Sequence, residues 1–381
     1  MFIRFPENFF WGTATSAYQI EERIKNDWSE AGKQYDAGLA CDHYHRFEED
    51  FDLAKTMNNN AHRFSIEWAR IEPEEGKFDQ KEIEHYRKVI SALKQRNLEP
   101  FVTLNHFTVP IWFAKKGGWL NKYAPNCFAK YVEFIVKNFP EIKFWITLNE
   151  PNVYTSHSFL RGNWPPFIKN YKKTNAALKN LVEAHKISYQ TIHKFNQRAN
   201  VGISTMNIWY RGILKIFADY KWNHWFLEQI KDYQDFIGLN YYFGYSLKSI
   251  FGRLSLSKEA KPQNITDMGW RIVPEGIYHV LKDLQKYQKP IYITENGLAD
   301  ENDTKRAEFI VNHLKWVHKA IGEGVDVRGY FHWSLIDNFE WDKGFKSKFG
   351  LIEINYNNFQ RTPKKSSKIY AEICKNNGIS I

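Results

Sequence analysis

The feature that most narrows what this 381-residue chain can fold into is an eightfold alternation of short β-rich runs with stretches of helical spacing. The strand-like runs are residues 9–17, 61–66, 99–105, 143–149, 200–206, 236–242, 290–294 and 327–333. Between them apolar residues recur at helical intervals, as in Ile83, Tyr86, Ile90 and Leu93, or Phe128, Val132, Ile135 and Phe139. Similar spacing follows Pro274 in Ile277, Leu281 and Leu284, and follows Pro363 in Ile369, Tyr370 and Ile373. A fifth helix, within residues 213–231, has the weakest pattern. Repeated βα units build a parallel sheet, and eight of them predict an α/β fold, a single (β/α)8 TIM barrel with its site at the carboxyl ends of the strands. No low-complexity linker or internal repeat interrupts the chain, so residues 1–381 are expected to form one barrel domain. Residues 243–270 are expected to form a long loop overhanging the mouth.

Two of the predicted strands end in the same way. Lys143-Phe-Trp-Ile-Thr-Leu-Asn-Glu-Pro151 is an apolar run that stops on a polar pair and a proline, which lacks the amide hydrogen a strand needs. Pro290-Ile-Tyr-Ile-Thr-Glu-Asn-Gly297 breaks at Glu295 in the same manner. Two carboxylates held over one barrel mouth are what cleavage of a glycosidic bond requires, one to attack and one to pass a proton. For a single glutamate the ordinary reading is a solvated loop acid; the pairing in matched contexts argues against it. Polar and aromatic groups recur at the other strand ends: Gln19, Arg63, His106, Asn149, Asn240, Tyr242 and the run Trp333–Trp341.

Composition excludes several other classes. The net charge of +10 raises the question of nucleic acid, but the lysines are dispersed and no nucleic-acid motif accompanies them. The amino terminus has no leader-like basic and apolar regions, and no apolar run approaches membrane-spanning length, so a cytoplasmic protein without membrane contact is expected. Three widely separated cysteines, Cys41, Cys127 and Cys374, do not suggest a disulfide framework. His43 and His45, with Cys41 and Asp42, lack a second ligand group at metal-site spacing, so no metal is expected. Aromatic residues at 17%, with 14 Trp, suit stacking on the apolar faces of sugar rings as well as core packing.

On these residues the sequence resembles glycoside hydrolase family 1. The resemblance runs from Phe9-Phe-Trp-Gly-Thr-Ala-Thr-Ser-Ala-Tyr-Gln-Ile-Glu21 through Ala40-Cys-Asp-His-Tyr-His45, Arg63-Phe-Ser-Ile-Glu-Trp68, Thr147-Leu-Asn-Glu-Pro151, Asn240-Tyr-Tyr242, Ile293-Thr-Glu-Asn-Gly297 and Trp333–Trp341 to Phe349-Gly-Leu351. It implies a retaining exo-β-glycosidase of β-glucosidase type, with Glu295 as nucleophile and Glu150 as acid/base. Retention requires the two carboxyl groups to lie about 5–5.5 Å apart. Arg63 and Tyr242 would keep Glu295 ionised. Gln19, His106, Asn149, Asn240, Trp333, Glu340, Trp341 and Phe349 would bind the sugar of a small β-glycoside or short oligosaccharide, without metal or organic cofactor. Members that act on 6-phosphorylated sugars carry Ser in place of Glu340 and a Lys in place of Ser347, so an unphosphorylated substrate is expected, although Lys346 and Lys348 lie close in sequence.

The chain departs from the family pattern in two places. The Glu150–Glu295 interval is short, with residues missing between Pro151 and Asn240, and Glu22 stands where the motif continues with Gly. The shortening bears on the outer subsites, and Glu22 on the loop beneath Gln19. Alternative readings are a sugar-binding barrel without turnover, a transglycosylase, or an endo-acting hydrolase. The sequence does not fix the sugar epimer, the leaving group or the oligomeric state.

Overall fold

The eightfold alternation closes into a barrel of eight parallel strands in the computed structural model, which describes residues 2–211, 215–246 and 264–380. In chain order the barrel strands are β1 (Phe10–Ala14), β2 (Ala61–Ser65), β3 (Glu99–Thr103), β4 (Phe144–Asn149), β5 (Asn200–Met206), β6 (Ile237–Asn240), β7 (Ile291–Asn296) and β8 (Val327–Trp333). Each pairs with its sequence neighbours, and β8 returns to β1 with Trp333 opposite Ala14. The fold class expected from the alternation is therefore the one adopted.

Aromatic rings fill the barrel interior. Phe101 and Phe144 stack at 4.1 Å between ring centroids, and Tyr292 meets both edge-on. This plug closes the barrel beneath its carboxyl-terminal mouth, so polar strand-end groups face a cavity with a solid floor. The outer helices are α1 (His43–Thr56), α2 (Gln80–Gln95), α3 (Ala124–Asn138), α4 (Tyr171–Phe195), α5 (Trp225–Ile230), α6 (Pro274–Leu284), α7 (Arg306–Gly322) and α8 (Lys365–Asn376). Their buried residues follow the predicted spacing: α2 turns Ile83, Tyr86, Ile90 and Leu93 inward. Its N-cap Asp79 accepts a hydrogen bond from the amide of Lys81, and Asn170 caps α4 through Lys173 in the same way. The two chain ends are fastened together by antiparallel pairing of Phe2–Arg4 with Gly378–Ser380.

The structure corrects some boundaries. The first run stops at Ala14, and Ala17–Ile20 forms a turn of helix, whose first amide, on Ala17, donates to the Ser65 side chain and whose Gln19 is held by the Ser16 hydroxyl. Gln19 therefore projects from a helical turn and not from a strand. The fifth helical region is split into Lys215–Asp219, a π-helical turn Tyr220–His224, and α5. Of the long loop expected after β6, residues 247–263 lie outside the described residues; its flank Gly244–Ser246 pairs with Trp209–Arg211 in a small parallel sheet. Among the described residues no helix is long and apolar enough to cross a membrane.

Candidate active site

Both glutamates reach the mouth through a local break in their strand. All six residues of β4 are buried, and the strand ends where Glu150 adopts a left-handed conformation with φ 42° and ψ 59°. Pro151 disfavours a right-handed helical conformation at the residue before it, yet suits the first position of the short helix Pro151–Thr155. Sequence thus turns Glu150 out of the sheet. In β7 the pairing register shifts against both β6 and β8 beside Glu295, and irregularities of this kind re-aim a side chain. Gly297 follows because a Cβ there would meet the Trp333 carbonyl oxygen at 1.8 Å.

One buried arginine organises the floor of the site. Arg63, at 0% exposure on β2, donates from Nη1 to Glu295 Oε1 at 2.5 Å, from Nη2 to Asn149 Oδ1 at 2.6 Å, and from Nε to Thr103 at 3.2 Å. Tyr242 donates its hydroxyl to Glu295 Oε2 at 2.6 Å, so both oxygens of Glu295 are held. Glu150 is bound differently: Asn240 Nδ2 donates to its Oε1 at 2.8 Å. Asn240 is fixed in turn by Thr294, whose hydroxyl donates to its Oδ1 at 2.7 Å. Asn149 Nδ2 and His106 Nε2 lie 3.1 Å apart, while His106 Nδ1 is buried with no partner among the described residues.

These surroundings separate the two acids electrostatically. Burial pushes the Glu150 carboxyl well above the ordinary range, and the nearby charge of Glu295 raises it further, with Asn240 and Arg63 opposing weakly. Burial also raises Glu295, but Arg63 and Tyr242 oppose the rise, so the surroundings favour the charged form at Glu295 more than at Glu150. Burial and the charge of Glu295 push Glu340 up to about 8, with Gln19 opposing through a 3.4 Å hydrogen bond.

A cavity of about 510 Å³ opens above the pair. Of the residues singled out by sequence, Glu150, Glu295, Tyr242, His106, Asn149, Trp333, Glu340, Trp341 and Phe349 line it. Gln19, Arg63 and Asn240 are fully buried behind that wall; Gln19 is engaged with Ser16, Asn338 and the Phe339 carbonyl. The His106 ring lies nearly parallel to Trp333 and Trp341, 5.9 Å from each. Sequence reasoning missed the outer lining, which includes Phe107, His157, Arg161, Asn163, Trp164 and Trp222. These residues sit on loops and π-helical turns, where no strand-end pattern marks them.

The residues weighed as a metal cluster separate. His43 pairs with Asp50 at 2.6 Å, and Cys41 is buried. Asp42 and His45 instead meet Glu22, all three presenting ligand atoms within 4.8 Å, but Asp42 is already bonded to His45 and Arg46. Glu22 thus faces the outer surface near His45, 3.7 Å away, and does not line the cavity beside Gln19. Lys346 and Lys348 do not line the cavity either.

The family model for glycosyl hydrolase family 1 matches residues 1–215 and 222–379. The chain belongs to glycosyl hydrolase family 1. A 1,4-beta-D-glucan glucohydrolase of Thermotoga neapolitana is 34% identical, with 99% of each chain covered. That alignment spans 443 positions, longer than this chain, so the relative carries segments absent here. Among solved family 1 structures, a beta-glycosidase from Pyrococcus horikoshii superposes with a TM-score of 0.93 at 39% identity, covering 100% of this chain and 97% of the other. A beta-glucosidase from Thermotoga maritima in complex with glucoimidazole gives 0.92 at 32% identity, covering 99% and 100%. Like the other family 1 enzymes, this protein is an O-glycosyl hydrolase.

Proposed function

We propose that this enzyme is a retaining exo-β-glycosidase that releases single unphosphorylated sugars, β-glucosyl units foremost, from the nonreducing end of small β-glycosides. The observation that carries the reading is the asymmetry of the two buried carboxyls: Glu295 is gripped by an arginine and a tyrosine, and Glu150 by one amide. Asn240 bonds Glu150 directly and also stabilises the charge on Glu295, which supports the short separation that retention needs.

In the first step Glu295 attacks the anomeric carbon while Glu150 donates its proton to the departing oxygen. The glycosyl ester removes the charge on Glu295, the repulsion that raised Glu150 falls away, and Glu150 becomes the base that activates water. His106 and Asn149, which line the cavity, offer hydrogen bonds to ring hydroxyls, and Trp333 offers an apolar surface. Glu340 on the cavity wall, its carboxyl pushed up to about 8, offers both a donor and an acceptor to sugar hydroxyls. The three free cysteines support a reducing, cytoplasmic setting.

The test is release of nitrophenol from an aryl β-glucoside, with the anomer formed first followed by NMR. The β-anomer is expected from the wild type and no release from Glu295→Gln. Wild-type release no faster than that variant would leave a sugar-binding barrel, and the α-anomer as first product would exclude retention.

A further inference from the structure

The cavity extends outward from the paired acids onto the segment that follows Glu150. There the helix Pro151–Thr155 passes into a π-helical turn, Ser156–Arg161, and His157 and Arg161, four residues apart, both line the cavity. His157 stacks on Trp164 at 4.3 Å, and its Nδ1 lies 3.1 Å from Asn163 Nδ2. Asn163 Oδ1 is left without a partner among the described residues.

Charge in this outer half is not balanced. Asp342 is paired with Lys343 at 2.8 Å, and Glu340 lies with Gln19 towards the inner wall. Arg161 is exposed and has no ion pair or hydrogen bond to a carboxylate among the described residues. Its charge acts on the surrounding walls: it holds down the ionisation of His157, second to burial, and favours the phenolate forms of Tyr210 and Tyr245 against their burial. His157, pushed down to about 4 mainly by burial, is neutral at ordinary pH. A ligand in the outer half therefore meets one exposed guanidinium that has no carboxylate partner among the described residues.

We propose that Arg161 makes the leaving-group half of this cavity select β-glycosides whose leaving group carries a carboxylate, such as an acidic sugar. The guanidinium fork matches a carboxylate in two parallel hydrogen bonds. This rests on the reading of the paired glutamates as a glycosidase, and it concerns a region whose sequence is trimmed relative to the family.

The test is a matched pair of substrates that share the bond to be cleaved: β-glucosyl-(1→4)-glucuronate and β-glucosyl-(1→4)-glucose. The ratio of their kcat/KM values is measured for the wild type, Arg161→Gln, Arg161→Lys and Arg161→Glu at low and high ionic strength. The ratio cancels any loss common to both substrates, including partial misfolding. The wild type should favour the acid roughly three- to tenfold, chiefly through KM, as expected for a partly exposed charged pair. Arg161→Gln should abolish the preference, Arg161→Lys retain part of it, and Arg161→Glu reverse it; high salt should weaken it in the wild type. An equal or lower rate for the acid in the wild type, or a ratio unchanged by Arg161→Gln, overturns the proposal while leaving the glycosidase reading intact. Hydrolysis of neither substrate overturns both.

Discussion

The inner and outer halves of the cavity are built on different principles. The inner half is made of strand ends, and almost every polar atom is committed: Arg63 uses Nε, Nη1 and Nη2, Asn240 uses both ends of its amide, and each oxygen of Glu295 has a donor. The outer half is made of loop and π-helical residues, with an exposed Arg161 and an Asn163 Oδ1 that has no partner among the described residues. A pre-bonded floor holds charges in fixed places, which is what stabilising a transition state requires. An incompletely bonded rim adapts to whatever departs. The chemistry should therefore be rigid and the leaving-group choice open to change.

If the comparison holds, damage to the inner half should be far larger than damage to the outer. Replacing the proposed nucleophile, Glu295→Gln, should lower kcat on the order of 10⁴-fold or more for every substrate, read by steady-state rates. Glu150→Gln should cost about 10²–10⁴-fold, most with poor leaving groups that need the proton. The pH profile sharpens the point. Activity should fall on the acid side as Glu295 gains a proton and on the basic side as Glu150 loses one, and Glu150→Gln should remove the basic limb. Tyr242→Phe takes one donor from Glu295, whose pKa then rises; the acid limb should move to higher pH, with kcat down roughly 10- to 100-fold.

Smaller effects probe the frame and the rim. In Gly297→Ala the added methyl collides with the Trp333 carbonyl, and a backbone shift is unavoidable. About 1–3 kcal/mol of stability should be lost in denaturant titration, as for other overpacked sites. His157→Ala, on the outer wall, should change KM for disaccharides only a few-fold, in line with loss of one stacked contact. It should leave both pH limbs in place, since His157 is already neutral there. A hundredfold loss of kcat from His157→Ala would erase the distinction between the halves.

The same division explains what could be read in advance. β4 and β7 announced themselves because a buried apolar run that breaks on a glutamate is a local pattern, carried by adjacent residues. Gln19 was placed at a strand end and lies on a helical turn, because the Ala17 amide that opens the turn donates to Ser65, distant in sequence. His157 and Arg161 left no sequence signal, since a π-helical turn has no distinctive spacing and their role depends on which wall they face. The Glu22–Asp42–His45 cluster was equally hidden, because its members come from two separate segments.

The sequence by itself determined the eight βα units, the closed barrel they imply and the two acids at its mouth, because hydrophobic periodicity and strand breaks are written in neighbouring residues. Only the tertiary structure decided how the surroundings of the two acids differ. That depends on Arg63 meeting Glu295 across 232 residues of chain and on Asn240 meeting Glu150 across 90, and electrostatics inside a buried site follow distance in space, not order along the chain.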